Sequence, residues 1–163
     1  MTGKELTHLE NVRAIRNRML NVLSGMDACI DETTQNESWS TREIIYHLSD
    51  TPPGGLGALF QGMISNSVLE FDLTPDLTNV TSDREKTTLE DGIADLTTVL
   101  DQIESVVSDA TPEILVDTTI ICHHLSRQTD EVRSLENLLR GLFARHWIAH
   151  LEQLELLKSE LGK

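Results

Sequence analysis

The sequence predicts an all-α protein, a four-helix bundle with long crossover connections. Three observations lead there. Apolar residues recur at three- and four-residue steps over several long stretches, as they do along the buried face of a helix. Serine or threonine followed three residues later by glutamate marks the start of two of those stretches. Between them lie two long connections, and little of the chain reads as strand.

The first helix is expected over about residues 3–30. There Leu9, Val12, Ile15, Met19, Leu23, Met26 and Ile30 keep helical spacing, with Arg13, Arg16 and Arg18 among them. His8 lies near its start, off that stripe, and reads as a solvated residue. Residues 31–38 (DETTQNES) are polar and patternless, so the chain turns. Ser40 and Glu43 then form a capping box that opens a second helix, with Ile44, Ile45 and Leu48 apolar and His47 on the face shared by Ile44 and Leu48. Thr51-Pro52-Pro53-Gly54-Gly55 must interrupt it, because proline removes a backbone donor and drives the preceding residue out of the α region. The apolar pattern resumes over residues 56–67, giving a kinked helix or two short ones.

Residues 68–86 lose the pattern and read as a crossover loop around Pro75. Thr87 and Glu90 match a capping box for a third helix, whose seam is Leu89, Ile93, Leu96, Leu100, Ile103 and Val107. Thr111-Pro112 supplies a cap and a first-turn proline for a short helix. Residues 117–122 (DTTIIC) are β-branched enough to run extended. His123 and His124 follow; adjacent side chains of an extended chain point to opposite sides, so they are poor partners for one ion and read as a solvated pair. The fourth helix begins near Arg133 or Ser134 and runs to about Leu161.

Composition narrows the function. At 163 residues the chain fits one domain over residues 1–163, and a domain of that size buries about 68–70% of its unfolded surface. Cys29 and Cys122 have no paired spacing and read as free thiols in a reducing compartment. No signal-peptide pattern and no long uncharged apolar run appear, so a cytoplasmic, soluble protein is expected. A formal charge of −14, from 27 acidic and 13 basic residues, disfavours nucleic acid and anionic membranes as partners. The few aromatic side chains offer no stacking platform for single strands. With those excluded, a small-molecule substrate and a second copy of the chain, as a homodimer, are the partners left to consider.

The chemistry concentrates in RHWIAHLEQL, residues 145–154. His146 and His150 share one helical face, with Cβ atoms about 5–6 Å apart, in a stripe that runs Leu135, Leu139, Leu142, His146, His150, Gln153, Leu157. A buried, unpaired polar group costs about 1–3 kcal/mol, so each ring needs a hydrogen bond or a metal. His47 is a third inward-facing imidazole. Three neutral nitrogens match a catalytic zinc site, which keeps three protein ligands and one open position. Paired Glu-x-x-His sequences, as di-iron bundles require, do not occur, and no histidine has the exposed, basic, glycine-bearing context of a phosphotransfer bundle.

Trp39-Ser40 with EIIYHLSD, together with ARHWIAHLEQL, resembles the two signature regions of the DinB/YfiT-like superfamily of metal-dependent four-helix-bundle enzymes. The resemblance implies a divalent ion, zinc or nickel, held by His47, His146 and His150. It also implies activation of water or of a small-molecule thiol such as bacillithiol or mycothiol, for hydrolysis or thiol transfer. Two positions depart from the pattern: Ala149 stands where many relatives carry a further histidine, and Trp147 where many carry an acid. Asp50, three residues after His47, is the candidate general base or orienting group. Gln153, three after His150, is the candidate to hydrogen-bond substrate or metal-bound water. Tyr46 and Trp147 read as packing. The competing class is a non-catalytic helical bundle acting as a structural or regulatory dimer, its histidines hydrogen-bonded in the core.

Overall fold

The computed structural model describes residues 7–163. Its helices are α1 (His8–Leu23), α2 (Thr41–Ser49), α3 (Gly55–Ile64), α4 (Leu89–Asp109), the short α5 (Pro112–Asp117), α6 (Leu135–Leu138) and α7 (His146–Glu160). A π-helical stretch, Leu139–Arg145, joins α6 to α7. Four helical columns result: α1, the pair α2 and α3, α4, and the run from α6 to α7. The first expected helix includes residues 3–6, which lie outside the described residues.

Local chemistry explains most of the boundaries. Thr7 and Glu10 form a capping box on α1. That helix stops at Leu23, earlier than its apolar spacing suggests, because Gly25 takes a left-handed φ of 82°. A 3₁₀ turn, Asp27–Cys29, then carries the chain on with Met26 and Cys29 still buried. Ser40 and Glu43 cap α2 as expected. The Pro-Pro-Gly-Gly break yields two separate helices, with Gly54 and Gly55 both at positive φ. At Gly55 a Cβ would sit 2.5 Å from the Ser49 carbonyl oxygen. The capping box of α4 falls one residue later than its sequence pattern suggests, on Thr88 and Asp91. Thr87 is engaged elsewhere: its hydroxyl meets the Tyr46 hydroxyl at 2.7 Å and accepts from Arg42.

The chain is not strictly all-α. Three strands, β1 (Glu70–Leu73), β2 (Thr119–His124) and β3 (Thr129–Ser134), form a sheet of order β1-β2-β3. The first pair is parallel, with Phe71 opposite Cys122; the second is an antiparallel hairpin, with Ile121 opposite Val132. Phe71, Ile120 and Cys122 point into the core, whereas Ile121 and Val132 face outward. The supposed crossover loop thus contains a strand, and the extended segment runs two residues past Cys122.

The core lies where α1 and α2 each pack against both α4 and α7, with α3 on α4. Val12, Met19, Ile44, Leu48, Leu100, Ile103, Leu151 and Leu154 are among its fully enclosed members. His8 is not solvated: its Nε2 lies 2.7 Å from Glu136, fastening the start of α1 to α6. Cys29 and Cys122 are free and buried, and burial pushes the Cys122 thiol up to about 11. Among the described residues no helix is long and apolar enough to cross a membrane.

The α3–α4 contact depends on a missing side chain. A Cβ on Gly57 would lie 2.5 Å from the Gln102 Cβ and 2.9 Å from the Val99 carbonyl oxygen. Gly57→Ala is therefore expected to cost about 1–3 kcal/mol of unfolding free energy, read from urea titrations. Gly141→Ala meets nothing within 4 Å and is the matched control, expected to be neutral or slightly stabilising.

Candidate metal centre

Three imidazoles meet between the end of α2 and the start of α7. Their available ligand atoms all lie within 4.8 Å of one another. Ring centroids are 5.2 Å apart for His47 and His146, 4.7 Å for His47 and His150, and 4.5 Å for His146 and His150. His47 is 4% exposed and His150 9%.

The π-helical stretch determines how α7 presents its pair. In a uniform helix His146 and His150 would continue the stripe of Leu139 and Leu142. The buried series instead runs Leu139, Phe143, Trp147, Leu151, Leu154, and Leu142 is only partly buried. The wider turn hands the core position to Trp147 and leaves the two histidines on its flank, facing a cavity. Single-turn π distortions are frequent at functional sites.

Hydrogen bonds aim the rings. The His47 Nδ1–H donates to the Leu77 carbonyl oxygen at 2.5 Å. That carbonyl is held in place by Asn79, whose side-chain amide donates to the Tyr46 and Asp50 carbonyl oxygens and to the Thr51 hydroxyl. The His150 Nδ1–H donates to Gln153 Oε1, and Gln153 Nε2 donates to Glu37 Oε2 at 3.1 Å. A carbonyl oxygen only accepts, so both Nδ1 atoms carry the proton and both Nε2 atoms carry a lone pair. His47 Nε2 and His146 Nε2 are 3.0 Å apart, so the His146 Nε2–H donates to the His47 lone pair, and a shift of that proton to His146 Nδ1 leaves both rings neutral with both Nε2 lone pairs free for a common ion. The Trp39 indole covers one side, edge-on to His47 at 5.1 Å and stacked on His150 at 5.9 Å.

This donor set fits a divalent transition ion. Tetrahedral bonds of about 2.0–2.1 Å place nitrogens roughly 3.3 Å apart, close to the 3.0 Å between His47 Nε2 and His146 Nε2, and outer hydrogen bonds to metal-binding histidines are the usual way of fixing ring and tautomer. Electrostatics agree. Burial, reinforced by the two neighbouring rings, pushes His146 down to about 4. Burial and the neighbouring His47 do the same to His150, also to about 4. Burial lowers His47 too, against the opposing pull of Leu77 and Asp76. All three are thus neutral at pH 7, the form that ligates.

The rings open onto a cavity of about 470 Å³ whose walls include Trp39, Thr51, Asp76, His124, Arg127 and Leu142. The fold is that of YfiT. The chain aligns with the structure titled "YfiT from Bacillus subtilis is a probable metal-dependent hydrolase with an unusual four-helix bundle topology" at a TM-score of 0.72, covering 99% of this chain and 93% of that one. Sequence identity over the match is 15%, so what YfiT shares with this chain is architecture. No family model and no curated protein sequence matches the chain. The YfiT match agrees with the bundle topology that the two signature motifs imply.

The structure brings His47, His146 and His150 together, and Gln153 with them, but Gln153 acts on the ring of His150. It does not bring Asp50. That residue caps the end of α2, accepting from Gly54 N–H at 2.7 Å and from Arg84 at 3.0 Å, and it is absent from the cavity wall. Both oxygens serve the backbone knot that holds the Asn79 loop. Trp147 and Tyr46 are packing residues, each 1% exposed. His123 and His124 divide as alternation requires: His123 bonds Asp130 at 2.8 Å, while His124 lines the cavity and bonds Glu131 at 3.0 Å. Sequence reasoning missed Glu37 and Leu77. Glu37 lies in a featureless polar stretch, and Leu77 contributes only a backbone oxygen, which no side-chain pattern announces.

The depressed histidines have a definite pH signature. Their folded-state pKa values lie below the unfolded value of about 6.5, so between about 6.5 and 4 the unfolded chain binds more protons. Stability of the metal-free protein is complete above pH 6.5 and declines as pH falls toward 4. Between pH 7 and 5 the urea midpoint should decrease, and His146→Gln/His150→Gln should flatten that slope. His123, raised by Asp130 and then Glu70, contributes with the opposite sign in both proteins and cancels in the comparison.

Proposed function

We propose that this chain is a metal-dependent enzyme of the DinB-like type, in which His47, His146 and His150 hold a divalent ion, zinc or nickel, and a small molecule reacts in the adjoining cavity. The observation that carries the reading is the convergence of three neutral imidazoles within 4.8 Å on an opening of about 470 Å³, a volume suited to a small substrate. A divalent ion held by His47, His146 and His150 would supply Lewis acidity, enough to make a nucleophile of water or a thiol near pH 7.

The chain's own residues do the rest. Leu77 and Gln153 keep the Nε2 lone pairs of His47 and His150 aimed inward. Trp39 covers one side of those two rings and keeps bulk water from it. Glu37 accepts from two donors, so Asp76 and His124 are the wall residues we assign to take and return a proton. Arg127 stands at the rim, where an anionic group on the reactant would meet it. Hydrolysis fits YfiT, a probable metal-dependent hydrolase; thiol transfer to an electrophilic small molecule uses the same constellation with a thiol as nucleophile.

Untagged protein is expected to carry about one zinc or nickel per chain. His150→Ala should weaken zinc binding at least about 100-fold with helical circular dichroism retained. Undiminished affinity would overturn the ligand assignment. Assays of small esters, amides and alkyl electrophiles, with and without added thiol, separate hydrolysis from transfer by whether the product contains the thiol.

A further inference from the structure

We propose that Glu37 is a positioning residue: through the Gln153 amide, its carboxylate fixes His150 in the tautomer whose Nε2 lone pair enters the cavity. The affinity arm of the test rests on the metal reading above; the tautomer does not.

Glu37 is 7% exposed in the loop ahead of α2. Its two oxygens accept only from neutral groups, the Trp39 backbone N–H at 3.1 Å and Gln153 Nε2 at 3.1 Å. Enclosing a carboxylate on such terms is costly, and no cation within ion-pair reach offsets it among the described residues. What the carboxylate does is remove an ambiguity. A side-chain amide can present either its oxygen or its NH₂ to a neighbour. An ionised carboxylate only accepts, so facing Glu37 the amide must turn its NH₂ toward it and its oxygen toward His150. An amide oxygen also only accepts, so His150 Nδ1 must be the protonated nitrogen. The flipped amide would set oxygen against carboxylate and NH₂ against Nδ1, and would move the ring proton to Nε2, where it blocks ligation.

The same three residues grip the ring twice. Glu37 acts on its edge through Gln153, while Trp39, whose backbone N–H donates to Glu37, stacks its indole on the ring face at 5.9 Å and 18°. Glu37 and Gln153 are 116 positions apart, so this clasp forms only when the loop before α2 docks on α7.

The test uses full-length protein with ¹⁵N-labelled histidine, the His150 signals being assigned by their loss in His150→Gln. In metal-free wild type at pH 7.5, His150 should be the Nδ1–H tautomer, and zinc affinity is read by chelator competition. Glu37→Gln, isosteric and still able to hydrogen-bond, should give mixed tautomers and bind zinc about tenfold more weakly. Gln153→Leu should do the same or worse. The exchange variant Glu37→Gln/Gln153→Glu restores the order of donors and acceptors, with a carboxylate at 153 accepting from both neighbours. It should recover the Nδ1–H tautomer and bring affinity to within about threefold of wild type, which a purely structural role would not. An Nε2–H tautomer in wild type, or unchanged tautomer and affinity in Glu37→Gln, overturns the proposal. If wild type binds neither zinc nor nickel yet Glu37→Gln still shifts the tautomer, the metal reading fails and the positioning role stands.

Discussion

The hydrogen bonds that His47 and His150 make through Nδ1, to the Leu77 carbonyl and the Gln153 amide, are the constraint on which the site depends. An imidazole in a protein interior must place both nitrogens. Committing one to a fixed acceptor orients the other, and here both free nitrogens turn toward a common point. Desolvation acts in the same direction by holding the rings neutral. Remove either acceptor and the histidines would still be close, but nothing would dictate which nitrogen each one offers.

Those acceptors come from loops, and the loops are in turn anchored to helix ends. Asn79 grips the last carbonyls of α2, and Arg84 bridges Asp50 to the Asn79 carbonyl. Arg42, 5% exposed, donates to Asp31, to the Arg84 carbonyl and to Thr87. The segment that orients His47 is therefore bound to the helix that carries His47, and the whole corner behaves as one hydrogen-bonded unit.

How much of this the sequence discloses follows the range of the interaction concerned. The helices are legible because their signal is local: period, caps, and the Pro-Pro-Gly-Gly break. His146 and His150 are legible for the same reason, being four residues apart on one helix, and His47 because Ile44 and Leu48 declare its face. The sheet is hidden because β3, TDEVRS, has one apolar residue, Val132, and that one is 67% exposed, so no alternation marks it. The π-helical stretch is hidden because its composition, LRGLFAR, suits an ordinary helix, and missing it puts Leu142 in the buried series in place of Phe143. Asp50 looks catalytic only until its partners are known. Glu37 and Leu77 matter through contacts 116 and 30 positions away, which no local pattern contains.

The cavity has a floor and a rim of different make. The floor is side chains of α2 and α7, held by core packing; the rim is the stretch after β1, with Asp76, the end of β2, with His124, and the β2–β3 turn, with Arg127. Substitutions in the β2–β3 turn alter what can enter without disturbing the rings beneath, since that turn holds neither His47 nor His150, whereas the stretch after β1 carries the Leu77 carbonyl that orients His47. The mouth can be reshaped from its hairpin side alone, so two proteins of this architecture with the same three histidines need not admit the same small molecule.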